Sequence, residues 1–481
     1  MITMGKTAPA SVVTRALPDP ARLLADQRAA FARCQPGLAT RHHALRSLEL
    51  AILARQRDIV EAVAKDFGGR PAEETLALEV FPLLNEIRYA RRNLKRWMAP
   101  QRAGLQWQFW PATARIVHQP LGVVGILSPW NYPFYLTLGP LVGVLAAGNH
   151  ALLKPSELAP VSAALIASIV SEFFPVEYVA VVAGGVETAR KMASLPFDHL
   201  VFTGSTRVGK AVMKAASENL VPVTLELGGK SPAIVHGDYP IERAAERILA
   251  GKLYNAGQTC VAPDYVLVPR GRRDEFVEAA RRIVRRMYPS GFGGRDYTRI
   301  INADQYDRLE DLLEDARRRG GEVIALEDEG QWRDLSTRVF PPTLVTNVRD
   351  DMAVMQEEIF GPILPIVEYG ELRDAIRDVN ARPRPLAFYY FDDDRTRVNR
   401  VLETVVAGGA TVNDCLFHVG HAGLPFGGVG SSGMGRYHGV HGFRTFSNAM
   451  GVLRQGRWSP LAALRPPYTE RTRRLLRFLL R

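Results

Sequence analysis

Residues 200–218 read LVFTGSTRVGKAVMKAASE, a strand-length apolar run that ends in glycine and passes directly into a helical pattern. Residues 200–203 form the strand, Gly204-Ser205-Thr206-Arg207-Val208-Gly209 the turn, and 210–218 the helix. Glycines at such a turn let a phosphate approach the backbone, and the helix start offers unpaired N–H groups and a partial positive charge. The spacing departs from G-x-G-x-x-G, so a dinucleotide site and an ordinary tight turn both stay open on this segment alone.

The same alternation continues on both sides. Short apolar runs at 122–128, 151–153, 178–182 and 221–225 are separated by helical stretches. Because parallel strands need a crossover helix, this pattern predicts a doubly wound α/β sheet. A second series at 265–268, 322–326, 363–367, 387–390 and 410–412, with helices at 272–287 and 304–319, predicts a second α/β unit. The first hundred residues read as an outer layer of helices at 21–33, 41–66 and 71–97, broken at Gly68-Gly69. Residues 106–119 hold β-formers around Pro111-Ala112 and predict a hairpin leaving the main body.

Composition narrows the partners. The chain has 481 residues, 47% hydrophobic and 23% charged, which excludes disordered, collagen-like and disulfide-stapled classes. Of its net charge of +11, the last 31 residues supply +7, from eight Arg against Glu470, leaving +4 for the rest. That distribution gives no nucleic-acid footprint in the body of the chain. In the tail, Thr472, Leu475, Leu476 and Leu479 share one helical face while Arg473, Arg477 and Arg481 share another. Docking on a partner subunit, a solvated end, or peripheral contact with an anionic membrane would each suit this pattern. Cys34, Cys260 and Cys415 are too scattered for a disulfide framework, and residues 1–20 contain no apolar leader core, so a reducing, cytoplasmic setting is expected. The charge-free stretch 116–153 is interrupted by prolines, and its longest clean piece, 134–148, falls short of the ~20 residues a membrane span needs. It reads as a buried strand, loop and helix.

Four further segments carry chemistry. Lys154-Pro155-Ser156-Glu157 follows a strand, where a Lys and a Glu can hydrogen-bond ribose hydroxyls or form a solvated strand end. Gly257-Gln258-Thr259-Cys260 places a thiol among small residues; it reads as a nucleophile toward a carbonyl carbon or as a small core residue. Glu226-Leu227-Gly228-Gly229-Lys230 sets a carboxylate at a strand end, a general base if its pKa is raised and a loop acid otherwise. Pro129-Trp130-Asn131-Tyr132-Pro133 offers a side-chain amide that can stabilise a developing oxyanion, a role worth ~3 kcal/mol, or is a proline-rich turn.

These segments, with Phe202-Thr203-Gly204-Ser205 and Glu357-Glu358-Ile359-Phe360-Gly361-Pro362, occur in the order found in aldehyde dehydrogenases, and the resemblance spans nearly the whole chain. The 425–439 stretch is similar to the class 3 branch, and Phe443-Arg444-Thr445-Phe446-Ser447 with Arg465-Pro466-Pro467-Tyr468 resembles its bacterial coniferyl aldehyde dehydrogenases. The resemblance implies a Rossmann-type cofactor domain (1–104 and 120–230), an α/β catalytic domain (231–410), a bridging, oligomerising β-element (105–119 and 411–450) and a basic tail (451–481). It further implies that Cys260 attacks an aldehyde, that Asn131 and the Cys260 N–H form the oxyanion hole, and that Glu226 activates water against the thioester. NAD, with NADP as the alternative, would be held by Trp130, Lys154, Glu157, Gly204, Ser205, Val208, Gly209, Glu358 and Phe360. Glu157 beside a ribose 2′ position favours NAD, since a carboxylate repels a phosphate.

A homodimer is implied, with no metal. Cys415, His418 and His421, with His438 and His441 nearby, have a spacing that also suits a metal. Tyr132, Tyr135, Trp107, Phe417 and Phe426 are candidates for an aromatic tunnel or for core positions; the resemblance of the ending to coniferyl aldehyde dehydrogenases implies a coniferyl-like or other aromatic aldehyde, with a medium- or long-chain aliphatic one as the alternative. Two competing readings are a Cys260-dependent esterase and a binding protein that has kept the fold; intact Cys260, Glu226 and Asn131 weigh against the second.

Overall fold

A computed structural model describes residues 19–326 and 335–480. The N-terminal segment read for a leader, residues 1–18, and Arg481 of the tail lie outside the described residues. Two parallel sheets organise the chain. The first runs, edge to edge, Gly433–Met434, Val223–Leu227, His199–Gly204, Val123–Leu127, His150–Lys154 and Val179–Val181. All neighbours are parallel except the two-residue strand Gly433–Met434. The chain moves outward from Val123–Leu127 to one edge, then returns to its other side with His199–Gly204. The strand order therefore reverses beside Leu127, and ligands of such sheets bind at the carboxyl ends of the strands at this point.

The second sheet runs Glu322–Ala325, Thr343–Thr346, Ile363–Tyr369, Tyr265–Pro269, Pro232–Val235, Ala387–Phe391 and Gly409–Val412, antiparallel only at Glu322–Ala325. Every strand expected from apolar runs is present. Thr343–Thr346 and Pro232–Val235 escape the pattern because each is four residues long and proline sits at or just before its start.

The charge-free stretch becomes Val123–Leu127, the helix Pro133–Ala147 and His150–Lys154; every residue of that helix is buried, as an all-round apolar helix must be. The expected helix 41–66 divides at Arg55 into Leu38–Ala54 and Gln56–Phe67. The one expected at 71–97 contains a π-turn, Leu76–Val80, between Ala72–Thr75 and Phe81–Met98. A π-turn slows the rotation of side chains around the axis, and Glu74 and Glu79 on either end of it both turn inward.

The hairpin expected at 106–119 does not form. Thr113–Pro120 pairs along its whole length with Ser447–Arg454, with Gln101–Arg102 on its other edge, while Trp107–Phe109 is a single 3₁₀ turn. A three-residue turn offers no strand, so the ladder is completed from the far end of the chain. The tail folds back on this element: Thr472 is buried with its hydroxyl donating to Ala463 O (2.9 Å), and Phe478 meets Trp107 edge-on at 6.0 Å. Of the apolar face read in the sequence, Thr472, Leu475 and Leu479 are turned toward the protein itself, and Leu476 is exposed. Among the described residues no helix is long and apolar enough to cross a membrane.

Candidate active site

The expected catalytic residues come together where strands of the first sheet end. Val123–Leu127 delivers Asn131, which is buried; one Nδ2 hydrogen donates to Gln258 O (3.1 Å), leaving the other free. The backbone carbonyl of Asn131 accepts from Asn255 Nδ2 (3.0 Å) and Arg70 Nη1 (3.3 Å), so the Asn131 turn and the cysteine loop are tied to each other. That loop is conformationally costly. Asn255, Ala256 and Gly257 all have left-handed backbone, with φ of 54°, 49° and 75°. At Gly257 a Cβ would stand 2.2 Å from Gly361 O, so only glycine fits.

Buried polar groups hold the loop in shape. Gln258 donates to Asn255 O (2.9 Å) and Arg299 O (3.1 Å) and accepts from Ile301 N (3.0 Å). Glu74 accepts from Asn255 N (3.1 Å) and Thr298 Oγ1 (2.6 Å). Arg70 binds Glu79 (3.1 Å), which accepts from Phe134 N (2.8 Å) and Tyr135 N (3.2 Å) at the start of the buried helix. The Arg70 guanidinium also lies 4.8 Å from the Tyr132 ring centre, and Tyr132 OH pairs with Thr259 Oγ1 (2.6 Å). None of Arg70, Glu74, Glu79 and Gln258 stood out as functional in the sequence; Glu and Gln at helical spacing look like solvated positions until the π-turn and the strand ends enclose them.

Cys260 opens onto a cavity of about 300 Å³, at the small end of the range for ligand sites. Tyr132, Tyr135, Phe417 and Phe426 line it as expected, joined by Tyr254. Trp107 does not: it is 66% exposed and belongs to the contact with Phe478. The crowded surround of the thiol, then the charges of Glu358 and Glu226, push its pKa up, with the backbone N–H groups of Cys260 and Val261 opposing. Glu226 is 2% exposed, and among the described residues no side chain hydrogen-bonds either carboxylate oxygen. Burial therefore raises its pKa well above the ordinary carboxylate range, against the pull of Arg436 and the Gly428 N–H. Gly427 leaves it room, since a Cβ there would come within 3.0 Å of Oε1.

The cofactor-side residues also cluster. Ser205 caps the helix Thr206–Ser217, accepting from Val208 N (3.4 Å), and Gly209 allows that helix to lie against Leu227, which a Cβ would approach to 2.5 Å. Val208 is 40% exposed at the helix start. Lys154, nearly buried at its strand end, donates to Glu157 (2.5 Å). Burial pushes the Glu157 carboxyl up, but the hydrogen bond and charge of Lys154 outweigh it and hold it below its ordinary value. Trp130 and Phe360 meet edge-to-face at 5.4 Å, and Phe360 has left-handed backbone, φ 51°.

Glu358 is pushed up to about 8 by burial and by Asp264. Its Oε1 is enclosed without a partner among the described residues, and a Cβ at Gly228 would fall 1.7 Å from Oε2. Its loop is clamped: Asp264 accepts from Ile359 N (3.1 Å), Lys230 donates to Val354 O (2.7 Å) and Glu357 O (2.9 Å), and Arg308 donates to Glu358 O (3.3 Å). Lys252 lies beneath, 3.8 Å from Asp264 and pushed down to about 8 by burial. An exposed helix start beside glycine, a paired Lys154–Glu157 and an enclosed carboxylate oxygen without a partner form a donor set suited to phosphate, ribose hydroxyls and a second ribose, so these residues fit a dinucleotide.

The histidine cluster has other partners. His418 Nδ1 pairs with Thr411 Oγ1 (2.8 Å), Cys415 is buried, His438 stacks on Phe426 at 5.2 Å, and His421 lines the cavity. Among the described residues no three His, Cys, Asp or Glu are grouped to hold a metal ion.

A cysteine on a strained loop, a buried glutamate and an amide N–H are gathered at the carboxyl ends of a parallel sheet, beside residues that fit a dinucleotide, an arrangement suited to an oxidoreductase of the α/β class. Residues 22–452 match the aldehyde dehydrogenase family model, and the chain belongs to that family. It is 50% identical over 455 residues, 94% of each chain, to a probable coniferyl aldehyde dehydrogenase of Pseudomonas aeruginosa. Among solved structures it resembles a substrate-bound AldH of Staphylococcus aureus (TM-score 0.90, 40% identity, 96% of this chain and 99% of that one). It also resembles an NAD+ complex of an aldehyde dehydrogenase from Bacillus cereus (TM-score 0.81, 26% identity, 90% of this chain and 88% of that one).

Proposed function

We propose that this aldehyde dehydrogenase oxidises aromatic aldehydes of the coniferyl type to carboxylic acids, with Cys260 as nucleophile. The observation that carries the reading is Cys260 on an aromatic-lined cavity with the buried Glu226 beside it. The Cys260 thiol adds across the aldehyde C=O, Sγ bonding to carbon and its proton ending on oxygen, and the charge that develops on that oxygen is met by the Asn131 Nδ2–H and the Cys260 N–H; loss of hydride from the carbon and of that proton to solvent leaves the thioester. NAD(P)+, when bound, supplies the hydride acceptor. The resulting thioester on Cys260 needs a base that does not itself become acylated. Glu226, whose burial raises its proton affinity, takes a proton from water, the hydroxide attacks the thioester carbon, and the C–S bond breaks to release the acid.

For the cofactor, Ser205 and the helix start would hold the pyrophosphate, Lys154 and Glu157 the adenosine ribose, and Glu358 with Phe360 the nicotinamide ribose. Glu157, whose carboxyl Lys154 holds below its ordinary value, would face that first ribose and so favours NAD over NADP. We further read the enzyme as a homodimer of a reducing compartment, the cytoplasm, consistent with three free and scattered cysteines.

Activity is tested by NADH formation on a panel from hexanal to coniferaldehyde, with NAD and NADP compared. Coniferaldehyde is expected to give the highest kcat/KM, and Cys260→Ser to lose at least about a thousandfold. Near-normal turnover in that variant, or ester hydrolysis without aldehyde-dependent NADH, would refute the mechanism.

A further inference from the structure

The reaction uses the inner end of the cavity and leaves the outer end unassigned. Tyr132, Val261 and Phe426 on the inner wall are buried, whereas Phe81, Phe417 and His421 are exposed, so the cavity runs from Cys260 out to a rim at these residues. Most of the wall is apolar, and two of its tyrosine hydroxyls are already engaged: Tyr132 OH with Thr259 and Tyr135 OH with His438 Nε2 (3.2 Å). Among the described residues the Tyr254 hydroxyl, the Asn85 amide and one nitrogen of His421 are not, and the last two can act as a pair. The Asn85 amide has no hydrogen-bond partner among the described residues and keeps both a donor and an acceptor. His421 Nδ1 accepts from Gly423 N (3.2 Å), which places a ring proton on Nε2, a donor with no partner among the described residues.

A donor and an amide set on a mostly apolar wall match a flat ring bearing oxygen at the end away from its aldehyde. A phenolic O–H can donate to Asn85 Oδ1, while the phenol oxygen or a neighbouring ether oxygen accepts from His421 Nε2–H. A plain hydrocarbon end would leave both groups to water. We propose that Asn85 and His421 are the specificity residues that recognise ring hydroxyl and ether oxygens, and so select oxygenated aromatic aldehydes over unsubstituted ones. The proposal rests on the aromatic-aldehyde reading above.

It is tested by the ratio of kcat/KM for coniferaldehyde to that for cinnamaldehyde, which lacks ring oxygens, in the full-length enzyme, His421→Phe and Asn85→Leu. Each hydrogen bond lost should lower the ratio about five- to tenfold, carried by the KM for coniferaldehyde rather than by kcat. Parallel loss on both aldehydes, as a merely structural role would give, or an unchanged ratio in both variants, overturns the proposal. A wild-type enzyme that oxidises hexanal but neither aromatic aldehyde overturns the underlying reading and this proposal with it; the wild-type measurements alone separate that case from failure of the rim residues.

Discussion

A strand end and a loop each present a glutamate to Cys260, and they hold it in opposite ways. Glu226 sits near the end of a strand, its backbone fixed by Thr203 on one side and Gly433 on the other, while its carboxylate is left in a pocket where no described side chain hydrogen-bonds it. Glu358 sits on an irregular loop whose backbone is clamped by Asp264, Lys230 and Arg308. Burial raises both, but Asp264 adds to the effect on Glu358 whereas Lys230 and Arg308 restrain it to about 8, and Glu226 goes well above the ordinary range. A carboxylate held by its backbone and free at its head is arranged to accept a proton. One held within a cationic clamp is arranged to stay in place and accept hydrogen bonds.

The sharpest way to break this contrast is to make the two equivalent by removing each acid. Glu226→Gln keeps the shape and removes the base. Steady-state turnover should fall about a thousandfold, within the 10²–10⁴ a general base supplies, while one equivalent of NADH still forms rapidly as the thioester accumulates. Turnover near wild type, or loss of that first equivalent, would show that Glu226 acts elsewhere. Glu358→Gln should instead raise the KM for the cofactor about tenfold, the size of a hydrogen bond to a charged group. Gly228→Ala, whose Cβ would collide with Oε2 at 1.7 Å, should do the same without removing the carboxylate. If either change slowed thioester hydrolysis as strongly as Glu226→Gln, the two acids would not differ in role.

Much of this was readable in the sequence, because both sheets advertise themselves as apolar runs and Asn131, Glu226, Cys260 and Glu358 lie in contiguous motifs at strand ends or in nearby loops. What holds those motifs was not. Arg70 and Glu79 are brought against Asn131 and Phe134 by a π-turn that no residue of 76–80 signals. The left-handed run at 255–257 includes Asn and Ala as well as glycine, so only Gly257 hints at it. The ladder of Thr113–Pro120 with Ser447–Arg454 joins segments more than 300 residues apart, beyond the reach of any local pattern.

The smallest expected effect concerns the clamp. Lys230 stands between the two: it closes the Glu226 motif in sequence, yet its ammonium binds Asp264 and the carbonyls of Val354 and Glu357. Lys230→Met should free the Glu358 loop and also remove a cation that restrains its carboxyl and screens Asp264. The sign follows from both changes: the Glu358 pKa, about 8 with Lys230 present, moves further up, so the carboxylate forms only at higher pH. In wild type the KM for the cofactor should fall as pH rises through about 8. In Lys230→Met that fall should begin at higher pH, leaving KM about threefold larger at pH 8, while the pH dependence of single-turnover thioester hydrolysis, set by Glu226, stays where it was. A clamp that acted on both acids alike would move the two profiles together, and the distinction between an anchored carboxylate and a free one would then be lost.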